Sequence, residues 1–236
     1  MKWLVLLDVK KSDFDNLSNL LRSSDEFSVI TENSKYYLTS SRWESLTNHS
    51  AVYLEATKPL QDISAVARIQ FTDFPLLKPD MIYEVDEEGK RHGGSALSAT
   101  LNVGSSCSVS IQLEGGQDII GNLEFESWMK LAEEDEIVKN VFRQITDFEH
   151  NWINLYKVYE IVNKDAGKKK IEQWTKDKIS QFKRTANSQS EIGDDARHGV
   201  DQSKEPPKEP MSLYEADALI MTLLQKWLQW KCEQQK

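Results

Sequence analysis

Two short stretches carry side chains suited to phosphoryl chemistry. Arg184-Thr185-Ala186-Asn187 is followed ten residues on by Arg197-His198-Gly199. A histidine can move a proton near neutral pH, and an arginine stabilises charge growing on a phosphoryl oxygen. His198 with Arg184 or Arg197 is therefore a candidate acid–base group with an electrostatic partner. Asp194 and Asp195 stand beside them and oppose an anionic substrate. The plainer alternative is structural: Arg184, Asn187, Arg197 and His198 cap helix ends and pin a long connection.

A second set of residues suits binding. Lys164 to Arg184 holds eight Lys and Arg against three Asp and Glu. Lys168, Lys169, Lys170, Lys176, Lys178, Lys183 and Arg184 can meet phosphates, Trp174 can stack on a base, and Asn187 can add hydrogen bonds. Here the alternative is one solvated helix face with Trp174 in the core. Glu149, His150 and Glu160 are polar positions off the apolar stripe and are expected on a solvated face. Arg91-His92-Gly93-Gly94 lacks the spacing of a phosphate loop and is expected as a β-turn. No HExxH, GxSxG, paired CxxC or dinucleotide fingerprint is present, and neither a metal nor a cofactor is expected.

These residues need elements to position them. Ile137, Val141, Ile145, Phe148, Trp152, Leu155, Tyr159 and Val162 recur every three or four residues. That rhythm predicts one helix over Asp135–Asn163, about 40 Å long. Lys168–Arg184 is expected as a second helix, with Ile171, Trp174, Ile179 and Phe182 on its apolar side. Asn187–Pro210 reads as a long polar connection. Ser212-Leu213-Tyr214-Glu215 has the form of a capping box and opens a final helix. That helix, striped by Leu213, Ala216, Ile220, Leu223, Trp227 and Trp230, is expected to lie antiparallel on the long one and complete a bundle.

The N-terminal half reads as α+β. Trp3–Val9 is a strand buried on both faces, and a short helix follows to about Ser23. Phe27–Thr31 and Lys35–Thr39 form a hairpin. Ala51–Ala56 is a strand candidate. From Pro59 onward the pattern fits either a helix beginning there or a strand over Ala65–Phe71. Met81–Val85, Ala96–Val103 and Cys107–Leu113 make a meander, with a turn at Asp86-Glu87-Glu88-Gly89. Leu123–Ala132 connects the halves. The expected organisation is an α+β domain over 1–122, mostly antiparallel sheet with one or two helices, and an all-α bundle over 123–236.

Arg184, Asn187 and His198 on a connection between helices, ahead of a capped final helix, resemble the helical domain of the HEPN superfamily over about 135–232. The resemblance implies a small, often dimeric bundle, metal-independent ribonuclease activity in many members, and roles in bacterial defence systems. The family motif places its His a few residues after its Arg. In this chain Arg184 lies well upstream of His198 and Arg197 adjoins it.

Composition bounds the rest. The chain has 236 residues, 39% hydrophobic and 28% charged, with a net charge of −9. That charge disfavours a general nucleic-acid binder but permits a local basic site. Cys107 and Cys232 are too few for a disulfide framework and point to a reducing, cytoplasmic setting. The apolar run after Trp3 stops at Asp8, too short for a signal peptide, and no run approaches a membrane span. Three readings follow: a binding module for RNA or a protein partner, a divergent ribonuclease using His198, and a dimeric scaffold.

Overall fold

The computed structural model describes every residue except 1, 23, 72, 96–121, 148, 177, 194–195, 197–207 and 236. The chain is α+β, with its sheet in the N-terminal half and helices dominating the C-terminal part. Among the described residues five antiparallel strands stand in the order β2-β3-β1-β4-β5: β1 Lys2–Leu7, β2 Phe27–Glu32, β3 Lys35–Ser40, β4 Met81–Val85 and β5 Arg91–Ser95. The first strand is central, which explains its unbroken apolar sequence. Trp3, Val5 and Leu7 join the main core, while Leu4 and Leu6 lie in register with Tyr83 and Tyr37 on the other face. The hairpin turns through Asn33 and Ser34, both at positive φ. Arg91-His92-Gly93-Gly94 is strand rather than turn, because β5 pairs with β4 across the Asp86–Gly89 turn. Ala96–Val103 and Cys107–Leu113 fall outside the described residues.

Helix α1 is Lys11–Leu20 and α2 is His49–Gln70. The Ala51–Ala56 strand and the helix starting at Pro59 are both overturned by α2. Asn48 caps it by accepting from the Ala51 N–H at 2.9 Å, and Val52, Ala56, Leu60 and Ile63 are fully buried at helical spacing. Pro59 sits inside this helix. It leaves the Glu55 carbonyl without its helical donor, and Glu55 lies on the solvent side, where water can replace it. The residues beyond Pro59 are buried on several sides, since α2 packs on β4 and on the C-terminal helices.

Leu123–Ala132 is no connector but part of helix α3, Asn122–Glu134. The long helix expected over Asp135–Asn163 is two: α4 Glu136–Asp147 and α5 Trp152–Ala166. Asp135 caps α4 through the Ile137 and Val138 N–H groups, and Asn151 caps α5 through the Asn154 N–H at 3.0 Å. The apolar rhythm hid the break because Ile145 and Trp152 are seven residues apart. Two helical turns of phase are kept, and both side chains reach the core. The second expected helix is likewise divided, into α6 Lys168–Thr175 and α7 Lys178–Ala186, with Lys176 at φ 51 between them. A single turn, α8 Gln189–Ile192, precedes α9, Leu213–Gln234.

Helix α9 begins with the capping box expected of it. Ser212 Oγ accepts from the Glu215 N–H, and the Glu215 carboxylate accepts from the Ser212 N–H at 2.8 Å. It runs parallel to α5, not antiparallel. Asp217 near its start meets His150 just before α5, and Trp227 near its end donates to Asp165 at the end of α5, 2.8 Å away. Lys231 Nζ lies 2.6 Å from Asp135 and 3.0 Å from Asp165, which sets α4 antiparallel to α9. Phe182 of α7 completes the bundle against Trp152, Tyr156 and Tyr159 of α5. Trp152 and Trp227 are buried in the same core, which continues through α2 to Trp3 and Val5 of the sheet. Among the described residues no helix is long and apolar enough to cross a membrane.

Candidate functional site

Of the residues expected to carry catalysis, Arg197 and His198, with Asp194 and Asp195, fall outside the described residues. Arg184 lies on the exposed side of α7. Asn187 follows α7 and closes it, its Nδ2 donating to the Lys183 carbonyl at 2.7 Å.

The binding residues are brought closer together. Lys168, Lys169 and Lys170 form the first turn of α6, directly after Gly167 at φ 85. No side chain caps this helix start, and no acidic residue stands in its first turn. Three lysines there are unfavourable for the helix, because its N-terminus already carries partial positive charge. Lys168 is paired with Glu172 at 3.5 Å, Lys169 is exposed, and Lys170 Nζ lies 4.7 Å from the Trp230 ring. Trp174 is half-buried rather than a core residue, its ring 6.1 Å from that of Trp230. Lys183 points elsewhere, to 5.7 Å from the Tyr159 ring.

Trp174 also belongs to a cleft of about 390 Å³ that sequence reasoning did not find. It lies where the α6–α7 break meets the start of α9. Lys176 lines it from the break, Lys178 and Gln181 from α7, and Met211, Tyr214 and Glu215 from the entry to α9. Tyr214 is 56% exposed. Lys226 holds the α6 end in place by donating to the Trp174 carbonyl at 2.9 Å. The backbone of Lys176 occupies a region that costs a non-glycine residue about 1–3 kcal/mol, the kind of conformation that gathers at functional positions. In sequence, Tyr214 is legible as part of a cap and Trp230 as part of a stripe. Their meeting with the lysines depends on α9 running parallel to α5.

A larger cleft, about 760 Å³, opens beside the end of β1. Asp8, Asp80 and Asp147 line it against a single lysine, Lys78, so it repels polyanions. Among the described residues no group of His, Cys, Asp and Glu is arranged to hold a metal ion.

The Glu149-His150 pair is not on a helix face as expected but in the α4–α5 break. Glu149 is exposed, whereas His150 is half-buried between Asp217 and the Ile145 carbonyl. The Asp217 carboxylate raises the pKa of the ring, and burial works against it without prevailing. Arg68 of α2 joins the same cluster, donating to the Ile145 and Phe74 carbonyls at 2.6 and 2.7 Å. No protein-family model matches this chain, and neither a curated protein nor a solved structure similar to it was found.

Proposed function

We propose that the chain is an RNA-binding protein whose α6–α7–α9 cleft takes a short single-stranded segment. The observation that carries this is the meeting of Trp174 and exposed Tyr214 with Lys176 and Lys178 around one cleft. Aromatic faces accept any base, and lysines placed beside them neutralise the intervening phosphates. The uncapped, lysine-bearing start of α6 adds positive charge on the same helix. A net charge of −9 is consistent with this because Lys164–Arg184 carries a local excess of eight Lys and Arg over three Asp and Glu. Outside it the surface is acidic and limits non-specific binding.

The test is fluorescence anisotropy with a labelled single-stranded oligoribonucleotide across a salt series. Tyr214→Ala should weaken binding by about 1–3 kcal/mol, the usual worth of one stacked base. Lys176→Glu with Lys178→Glu should flatten the salt dependence by about 1.4 logarithmic units per decade, because two phosphates of a single strand are then no longer neutralised. Unchanged affinity in both variants, or no binding at low salt, rejects the proposal. Cleavage of the bound RNA that disappears in His198→Ala would convert the reading into the ribonuclease one.

A further inference from the structure

His150 stands in the break between α4 and α5, and both its ring nitrogens face oxygen. Nδ1 lies 2.7 Å from Asp217 Oδ1 on α9, and Nε2 lies 3.2 Å from the Ile145 carbonyl in the last turn of α4. A carboxylate and a carbonyl can only accept. Among the described residues Asp217 Oδ1 has no aligned hydrogen-bond donor, so Nδ1 serves it by charge; the imidazolium keeps this ion pair and donates from Nε2 to the carbonyl, whereas a neutral ring gives up the ion pair. The Ile145 carbonyl belongs to the C-terminal end of a helix, where the aligned peptide dipoles favour a cation. Asp217 is 8% exposed, so its charge is poorly served by water and depends on its neighbours.

We propose that His150 is a protonation lock: as imidazolium it fastens the α4–α5 break to the start of α9, and on losing its proton it releases that start. The groups facing it come from each packed element. Asp217 of α9 favours the charged ring, and Arg68 of α2 opposes it. Asp73, in the loop after α2, acts on Arg68 rather than on the ring. On the ring's own segment Glu149 is exposed, and the nearby Asp147 carboxylate accepts from Gln61 at 2.6 Å. Once the ring is neutral, Asp217 remains buried and keeps Arg68 as a nearby cation. The first turns of α9 then lose their tie to α4. Those turns carry Tyr214 and Ala218 of the small cleft, so the lock governs one of its walls whatever the cleft binds.

The experiment is a pH titration of the full chain, with the four histidine rings followed by ¹H–¹³C correlation spectra and backbone amide exchange measured in parallel. The His150 signal is assigned by its absence in His150→Gln. The expected result is that His150 keeps its proton above the ordinary histidine value of 6.5. Across that same interval, amide exchange over 211–219 should speed up several-fold beyond its intrinsic pH dependence, while β1 and β3 stay protected. In His150→Gln the extra acceleration should vanish, and in Asp217→Asn the His150 midpoint should fall. A His150 midpoint at or below 6.5, or exchange over 211–219 that ignores the titration, overturns the proposal. The exchange outcome is read on the wild-type chain alone, so it does not depend on either variant folding.

Discussion

Lys231 holds two carboxylates that would otherwise repel each other in a poorly hydrated seam. Its side chain is 12% exposed, and those of Asp135 and Asp165 are 23% and 14% exposed. Replacing Lys231 with Met should cost about 3 kcal/mol in urea unfolding, because both acids lose their counter-ion. Adding Asp165→Asn to that variant should recover part of the loss, a coupling that a double-mutant cycle reads directly. The same residues set the limits of stability with pH. Burial pushes the Asp135 carboxyl up, but Lys231 and the N–H groups of Val138 and Ile137 outweigh it and hold it below the ordinary range. Its contribution is therefore present above the unfolded value of 3.8 and lost as pH falls through the depressed folded value. His150 has the opposite sign. Its pKa is raised above 6.5 chiefly by Asp217, so its contribution is complete below 6.5 and lost as pH climbs through the folded value. Asp62 and Glu26, raised by burial, gain stability on acidification and blunt the acid limb. The alkaline limb is accordingly the cleaner one, and chemical denaturation from pH 6 to 9 should show it flattened in His150→Gln.

At the scale of the helices, two substitutions separate stability from binding. Ser212→Ala removes the side-chain half of the capping box and should lower stability by about 1 kcal/mol. Lys169→Glu should do the reverse, adding about 0.3–1 kcal/mol by placing an acid at an uncapped helix start, while weakening RNA binding. A Lys169→Glu variant that binds RNA as tightly as the wild type would mean that the first turn of α6 serves no anion. Much of this layer was readable from residue types alone. The β2–β3 hairpin followed from β-prone runs around Glu32-Asn33-Ser34, and the α9 start from Ser212 and Glu215. The breaks were not readable, since the 145–152 interval preserves helical phase and Lys176 adopts a backbone conformation that side-chain type does not forecast. Helix α2 was missed because Ala51, Val52 and Tyr53 suit a strand and Pro59 suggested a start. The Asn48 cap and the spacing of the buried residues settle it as a helix. In the site, Lys168–Lys170 and Trp174 stood out by composition. Their partners Tyr214 and Trp230 lie some forty to sixty residues further on in sequence, and only the tertiary packing joins them.

For the whole molecule, the shared core is decisive. Val52, Leu60 and Ile63 from the N-terminal half lie in one cluster with Trp128, Val141 and Leu224 from the other. Helix α2 packs against α3, α4 and α9 as well as against the sheet. Heating should therefore give one transition, with far-ultraviolet dichroism and tryptophan fluorescence coinciding; two separated midpoints would show that the sheet and the bundle melt apart. The fluorescence probe is apt because Trp3, Trp43, Trp128 and Trp227 are all nearly inaccessible and distributed through both halves.

The position of α9 in the chain bears on how this protein is made. The ribosome delivers this helix after every surface it must cover, and those surfaces include greasy flanks of α2, α3 and α5. A nascent chain lacking it presents a vacant slot to its neighbours and to chaperones. Supplied in trans, a peptide spanning 208–236 should dock into that slot and rescue a truncated chain, making the final helix the natural half of a split reporter.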